Sequence, residues 1–213
     1  MSTNPDVSSS RKASYVSVWD PLVRILHWAL AVGFLIAYVS PEEGGASPGD
    51  LHVWAGYAVG AIVLLRVLWG FIGPRYARFS DFVFRPAKVL KYLADLVLGH
   101  PRRYLGHSPA GGAMAVALLV FLAASVVTGV AAYGDRGKGP LANGATMQIT
   151  QAYAETNEGG HSASGVIGGQ HGAITSIALI LVILHIVGVA VASIMHRENL
   201  VTAMISGKKA PDS

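Results

Sequence analysis

The chain has no cysteine. That absence excludes disulfides, thiolate metal sites, iron–sulfur clusters and covalent haem attachment through a C-x-x-C-H motif. Charge is scarce as well. Only 13% of the 213 residues are Asp, Glu, Lys or Arg, against about 25% in a soluble domain. Asp and Glu are missing altogether from the long apolar runs. A proton pump or an ion relay built on intramembrane carboxylates therefore lacks its usual parts. The first residues, Met1 to Ser17, lack the apolar core of a cleavable signal peptide. They are polar and Ser-rich, and are expected to form a disordered tail over 1–17.

Apolar residues are what the chain has in plenty: 52% of the total. They gather into four runs, near residues 22–39, 51–72, 113–133 and 173–195. Each approaches the ~20 residues that cross ~30 Å of hydrocarbon. The expected fold is an all-α integral membrane bundle of four transmembrane helices. One transmembrane unit is expected over 18–209, with a long outer loop at 134–172 and a short C-terminal tail at 210–213.

The loops set the orientation. Between the first two runs, "SPEEGGASPGD" holds three acids and no base. Between the second and third lie Arg75, Arg78, Arg85, Lys88, Lys91, Arg102 and Arg103, against Asp81 and Asp95. Arg11 and Lys12 precede the first run, and Arg197, Lys208 and Lys209 follow the last. Lys and Arg mark the cytoplasmic side, which places both termini and the central loop inside. The pI of about 9.4 is thus a matter of membrane topology, and no nucleic-acid partner is expected. Within the inner loop, "PAKVLKYLADLVLG" has helical apolar spacing between Pro86 and Gly99. It is expected to lie as a helix along the inner membrane interface.

Ionisable residues inside spans are costly and mark function. Here they are His27, His52, Arg66, His171 and His185, with Arg24 and His196 near the inner ends. His52 and His171 open their spans on the outer side. His185 follows His171 by fourteen residues, ~21 Å deeper at ~1.5 Å per residue, and on nearly the same helix face. His27 enters from the inner side and reaches a similar depth. The four histidines therefore form an outer pair, His52 with His171, and an inner pair, His27 with His185. Opposed imidazoles on separate helices are what a six-coordinate haem b requires. Zinc would need three or four ligands at one depth. Each histidine taken alone has a packing role as its alternative.

Arg66 lies fourteen residues below His52 and so reaches the inner level. A guanidinium at that depth suits a haem propionate. Snorkelling to the inner headgroups is the alternative. Gly56 and Gly60 in "GYAVG" mark either close helix contact, including a homodimer contact, or a glycine that admits the porphyrin face. A quinone site is expected at the inner side, with Arg24, Tyr104 and His107 as its polar candidates beside Arg66.

"WDPLVRILHW", "LHVWAGYAVGAIVLLRVLWGFIGPRYARFSDF", "YLGHSPAGGAM" and "LHIVGVAVASIMHRENLVTAMISGKK" closely resemble the bacterial cytochrome b561 family, which groups with the b-type cytochrome subunits of nickel–iron hydrogenases. The resemblance runs from about Val16 to Lys209, the outer loop excepted. It implies a di-haem b electron carrier in the bacterial inner membrane that exchanges electrons with quinone. It also implies axial ligation by His27, His52, His171 and His185. A c-type cytochrome or a hydrogenase is the partner it implies on the periplasmic side, and the outer loop at 134–172, as the long external segment, is expected to dock it. Two other functions stand beside this one. A superoxide:quinone oxidoreductase would need a basic approach to the outer haem, and the outer loops offer only Arg136 and Lys138. A non-redox membrane anchor or transporter subunit would bind no chromophore.

Overall fold

The computed structural model describes residues 16–40, 42–43, 47–142 and 163–209. Four long helices dominate it: α1 (Pro21–Val39), α2 (Asp50–Ile72), α5 (Pro109–Asp135) and α6 (Ala163–Met195). All four are long and apolar enough to cross a membrane. The protein is a multi-pass membrane bundle, and its surface reflects that. Large apolar side chains such as Trp54, Phe71, Ile72 and Ile194 stand exposed along the helices. In a bilayer they face lipid, so the buried core is thin. Val59, Val63 and Leu122 form its centre, with Leu30, Phe34 and Val126 against them.

Local chemistry sets the helix starts. Asp20 caps α1, its Oδ1 accepting from Leu22 N at 3.0 Å and Val23 N at 3.1 Å, and Pro21 stands at the first position. Ser108 caps α5 in the same way, accepting from Gly111 N at 3.1 Å ahead of Pro109. Both are strong start signals. Between α2 and α5 the chain makes a short 3-10 turn (Arg75–Ala77), then α3 (Phe79–Phe82) and α4 (Pro86–Val97). On α4, Tyr92 is buried while Leu90, Leu93 and Val97 are exposed, giving it an apolar outer face. The chain closes with α7 (Leu200–Ser206).

Packing runs in a row: α1 on α2, α2 on α5, and α5 on α6. Among the described residues, α1 and α6 share no comparably extended contact. They face each other chiefly through a histidine pair and through a small strand pairing at the chain's two ends. There β1 (Val16–Ser17) pairs antiparallel with β4 (Lys208–Lys209), with Val16 opposite Lys209. A second short pair, β2 (Glu42–Glu43) with β3 (Ser47–Pro48), joins α1 to α2.

Three expectations need adjustment. Val16 and Ser17 belong to a strand and not to the tail; residues 1–15 lie outside the described residues. The outer loop is shorter than 134–172, because α5 continues to Asp135 and α6 begins at Ala163. Its middle, 143–162, is outside the described residues, as is the C-terminal tail at 210–213. The fourth span therefore starts well before residue 173. At ~1.5 Å per residue, the 33 residues of α6 extend ~50 Å, longer than the hydrocarbon core.

Candidate haem sites

The outer pair forms as expected. The His52 and His171 ring centroids stand 6.1 Å apart with their planes at 89°. Each ring is anchored on one side. His52 Nδ1 donates to the Ala37 carbonyl of α1 at 2.8 Å. His171 Nδ1 donates to the Ser125 carbonyl of α5 at 3.0 Å, with Thr128 Oγ1 at 3.3 Å. A carbonyl only accepts, so these contacts place the proton on Nδ1 and make Nε2 the unprotonated nitrogen of each ring. That is the tautomer a metal ligand needs, and such anchoring is typical of ligating imidazoles.

The space between the helices agrees. A cavity of about 360 Å³ opens beside both rings, lined by Phe34, Gly56, Tyr57, Val126 and Gly129 among others. Its walls are apolar for the most part, as a porphyrin face requires. The two glycines of "GYAVG" divide the two readings between them. At Gly60 an added Cβ would meet Val126 Cγ1 at 2.9 Å, so this glycine serves close contact between α2 and α5. At Gly56 an added Cβ would meet nothing within 4 Å, and Gly56 lines the cavity.

The inner pair forms too. The His27 and His185 centroids are 6.3 Å apart with planes at 58°. His27 Nδ1 is buried and has no hydrogen-bond partner among the described residues. Both separations match coordination. A metal–imidazole bond is about 2.0–2.1 Å, so two opposed rings on one iron have centroids roughly 6.3 Å apart. The residues present therefore fit two six-coordinate haems.

Arg66 reaches into the inner region from α2. Its Cζ lies 5.7 Å from the Phe82 ring and 5.8 Å from the Phe79 ring. Its Nη1 is buried and has no hydrogen-bond partner among the described residues. A buried guanidinium with an unused donor fits an anionic ligand group, and fits poorly with snorkelling to headgroups.

The three quinone candidates do not converge. Arg24 Nη1 donates to the Ile205 carbonyl, which ties it to the C-terminal segment. His107 packs between Trp19 and Phe82, with ring centroids at 4.7 and 4.4 Å, and its Nδ1 is buried. Burial, then the nearby Arg66 and Lys209 charges, push its imidazole down to about 3. It is neutral at pH 7. Tyr104 lines a polar cavity of about 60 Å³ shared with Tyr92, Arg103, His196 and Glu198. There Glu198 bridges Arg103 at 3.4 Å and Lys209 at 3.7 Å.

The His107 shift gives a testable pH effect. The unfolded chain takes up a proton near pH 6.5 that the folded chain refuses until about pH 3. Stability is then complete above pH 6.5 and falls as pH drops from there toward 3. His107→Phe, which keeps the ring contacts, is expected to flatten this acid limb in detergent thermal-melting curves. An unchanged slope between pH 5 and 7 would remove His107 as its source.

Sequence reasoning passed over Ser125, Thr128 and Gly129. An added Cβ at Gly129 would stand 3.0 Å from His171 Cε1, so this glycine lets the ring approach α5. The signal was present as "ASVVTG", a polar interruption inside an apolar span.

The chain is similar to proteins named probable Ni/Fe-hydrogenase B-type cytochrome subunit. The one from Rhodobacter capsulatus is 26% identical, with 97% of this chain and 86% of the relative aligned. That from Bradyrhizobium diazoefficiens is 25% identical, over 91% of this chain and 85% of the relative. That from Azotobacter vinelandii is 30% identical over 59% of this chain and 62% of the relative. No solved structure matches the chain. The model of the family described as prokaryotic cytochrome b561 matches residues 18–207, nearly the whole described bundle, and the chain belongs to that family.

Proposed function

We propose that this membrane b-type cytochrome holds two haems b, one on His52 and His171 and one on His27 and His185, and moves electrons between a periplasmic redox partner and the quinone pool. The observation that carries the reading is the repeated spacing of opposed imidazoles, 6.1 and 6.3 Å, on two levels of one bundle. When bound, haem supplies one-electron exchange between ferric and ferrous iron. The chain's own residues do the rest. Ala37 and Ser125 carbonyls fix the outer rings, Gly56 and Gly129 leave room beside them, and apolar helices exclude water.

Orientation follows the distribution of Lys and Arg, with both termini and α4 on the cytoplasmic side of the inner membrane. The exposed Leu90, Leu93 and Val97 suit α4 to the lipid interface. The similarity to hydrogenase cytochrome subunits favours a hydrogenase-like protein as the outer partner over a c-type cytochrome.

At the inner end, Tyr104 is the candidate best placed for a quinone oxygen, since its cavity also offers Tyr92 and His196. Arg24 and His107 then shape the surroundings without reaching the quinone. Adding a short-chain quinol to the oxidised protein under anaerobic conditions is expected to reduce haem rapidly. Tyr104→Phe is expected to slow that reduction roughly tenfold, the loss of one hydrogen bond worth about 1.4 kcal/mol. Equal rates in the variant would clear Tyr104 of the role.

Arg66 is the proposed partner of an inner haem propionate. Its charge favours the ferrous state, which carries one positive charge fewer. Arg66→Met is therefore expected to lower the inner midpoint potential by roughly 60 mV or more, a tenfold change in a one-electron equilibrium. A redox titration showing both potentials unmoved would place Arg66 outside the site.

A further inference from the structure

Both inner haem ligands sit on helices that barely touch. His27 is on α1 and His185 on α6, and these helices share no extended packing among the described residues. The outer site is different. His52 is braced by the Ala37 carbonyl on α1, and His171 by the Ser125 carbonyl on α5. Neither brace has a counterpart for His27, whose Nδ1 is unpartnered among the described residues. The row of helices links the inner pair, 6.3 Å apart, only indirectly, through α2 and α5.

A shorter link runs through a chain of contacts at the inner end. It starts on α6. Ser193 Oγ accepts from Leu200 N at 3.3 Å, and Ser193 O accepts from Glu198 N at 3.0 Å, which fixes the turn into α7. At the end of α7 stands Gly207, with φ +79°. Its carbonyl accepts two backbone N–H groups from the start of α1, Val18 at 2.9 Å and Trp19 at 3.1 Å. One residue on, Asp20 caps α1. Arg24, on the first turns of α1, donates to the Ile205 carbonyl. The β1–β4 pairing and the Lys209–Glu198 contact at 3.7 Å close the arrangement. Lys209 is 5% exposed, an unusual depth for a lysine near a chain's end.

We infer that this clasp, centred on Gly207, is the positioning element of the inner haem: it sets the spacing of α1 and α6 and so the His27–His185 geometry. Gly207 is suited to the place twice over. Its left-handed backbone strains any residue with a Cβ, and such a Cβ would stand 2.7 Å from the Trp19 carbonyl oxygen and 3.3 Å from Arg24 Cζ. The clasp joins the inner ends of α1 and α6, whereas His52 and His171 pair at the outer level, so its effect is expected at the inner level. The inference rests on the two-haem reading.

Two variants test it, Gly207→Ala and deletion of residues 207–213, each with two readouts. The first is the electron paramagnetic resonance spectrum of the oxidised protein, with the outer signal assigned by its loss in His171→Ala. The second needs no haem: the distance between nitroxide labels at Ile25→Cys and Ile194→Cys. Both positions are exposed, and the chain offers no cysteine to compete. The expected result is a shifted or high-spin inner signal, an unchanged outer signal and a broadened label distance. An unchanged inner signal overturns the inference, as does an unchanged label distance. Loss of both haems together also overturns it, since the effect would not be local. If the unmodified protein shows fewer than two low-spin signals, the two-haem reading is what fails, while the label distance still reports on the clasp.

Discussion

His171→Ala is expected to lose the outer haem and leave about one haem per chain, half the complement, while His196→Ala keeps both. Spacing from His185 alone permits either of these two histidines as the fourth ligand. Eleven residues and fourteen both come close to whole helical turns. The structure separates them by contact. His171 faces His52 at 6.1 Å and gives its Nδ1 proton to the Ser125 carbonyl. His196 stands past the end of α6, with Nε2 3.5 Å from the Tyr92 hydroxyl and beside the Glu198 ion pairs. Burial lowers its imidazole, and Glu198 works against that. Haem counting on the two purified variants decides the matter, and the reverse pattern would place both haems nearer the cytoplasm.

Gly56→Leu is expected to empty the outer site almost as completely as loss of a ligand, with the fold intact. The new Cβ would meet nothing within 4 Å, and Gly56 lines the 360 Å³ cavity, so the added side chain takes up space meant for the ligand. Gly60→Leu, one turn away, should behave in the opposite way. Its Cβ would press on Val126 Cγ1 at 2.9 Å in the α2–α5 contact. Overpacking of that kind costs about 1–3 kcal/mol and lowers the melting temperature. The pair is read by haem content and thermal melting together. Full haem content in Gly56→Leu would mean that the cavity is not where the porphyrin lies.

Much of this arrangement was legible in the sequence because a bilayer simplifies the code. Long apolar runs have one stable solution there, and a histidine inside such a run needs a reason. The depth argument from fourteen-residue spacings put His52 with His171 and His27 with His185, and both pairs form. The start of α6 was missed for a physical reason. Gly168, Gly169 and Gly172 lower helix propensity and look like loop. Tertiary contacts with α5 override that, among them Ser125 Oγ with Thr175 Oγ1 at 3.1 Å and the His171 anchor. At α5 the capping signal of Ser108 and Pro109 was readable, but Gly111 and Gly112 masked it. Gly112 is there because the Phe82 carbonyl leaves no space for a Cβ. The pairing of Val16–Ser17 with Lys208–Lys209 was not legible. Two-residue strands carry no periodicity, and their partners are at opposite ends of the chain. Nor did spacing show that His107 packs between two rings while Tyr104 opens on a cavity, since both lie in one short loop.

The central claim is two haems b per chain on opposed histidines. Its most direct test is the haem-to-protein ratio of the purified protein, taken with the dithionite-reduced spectrum. The account predicts two non-covalent haems per chain and a reduced α band of the b type. A ratio of one, or a reduced spectrum with no α band, would contradict it.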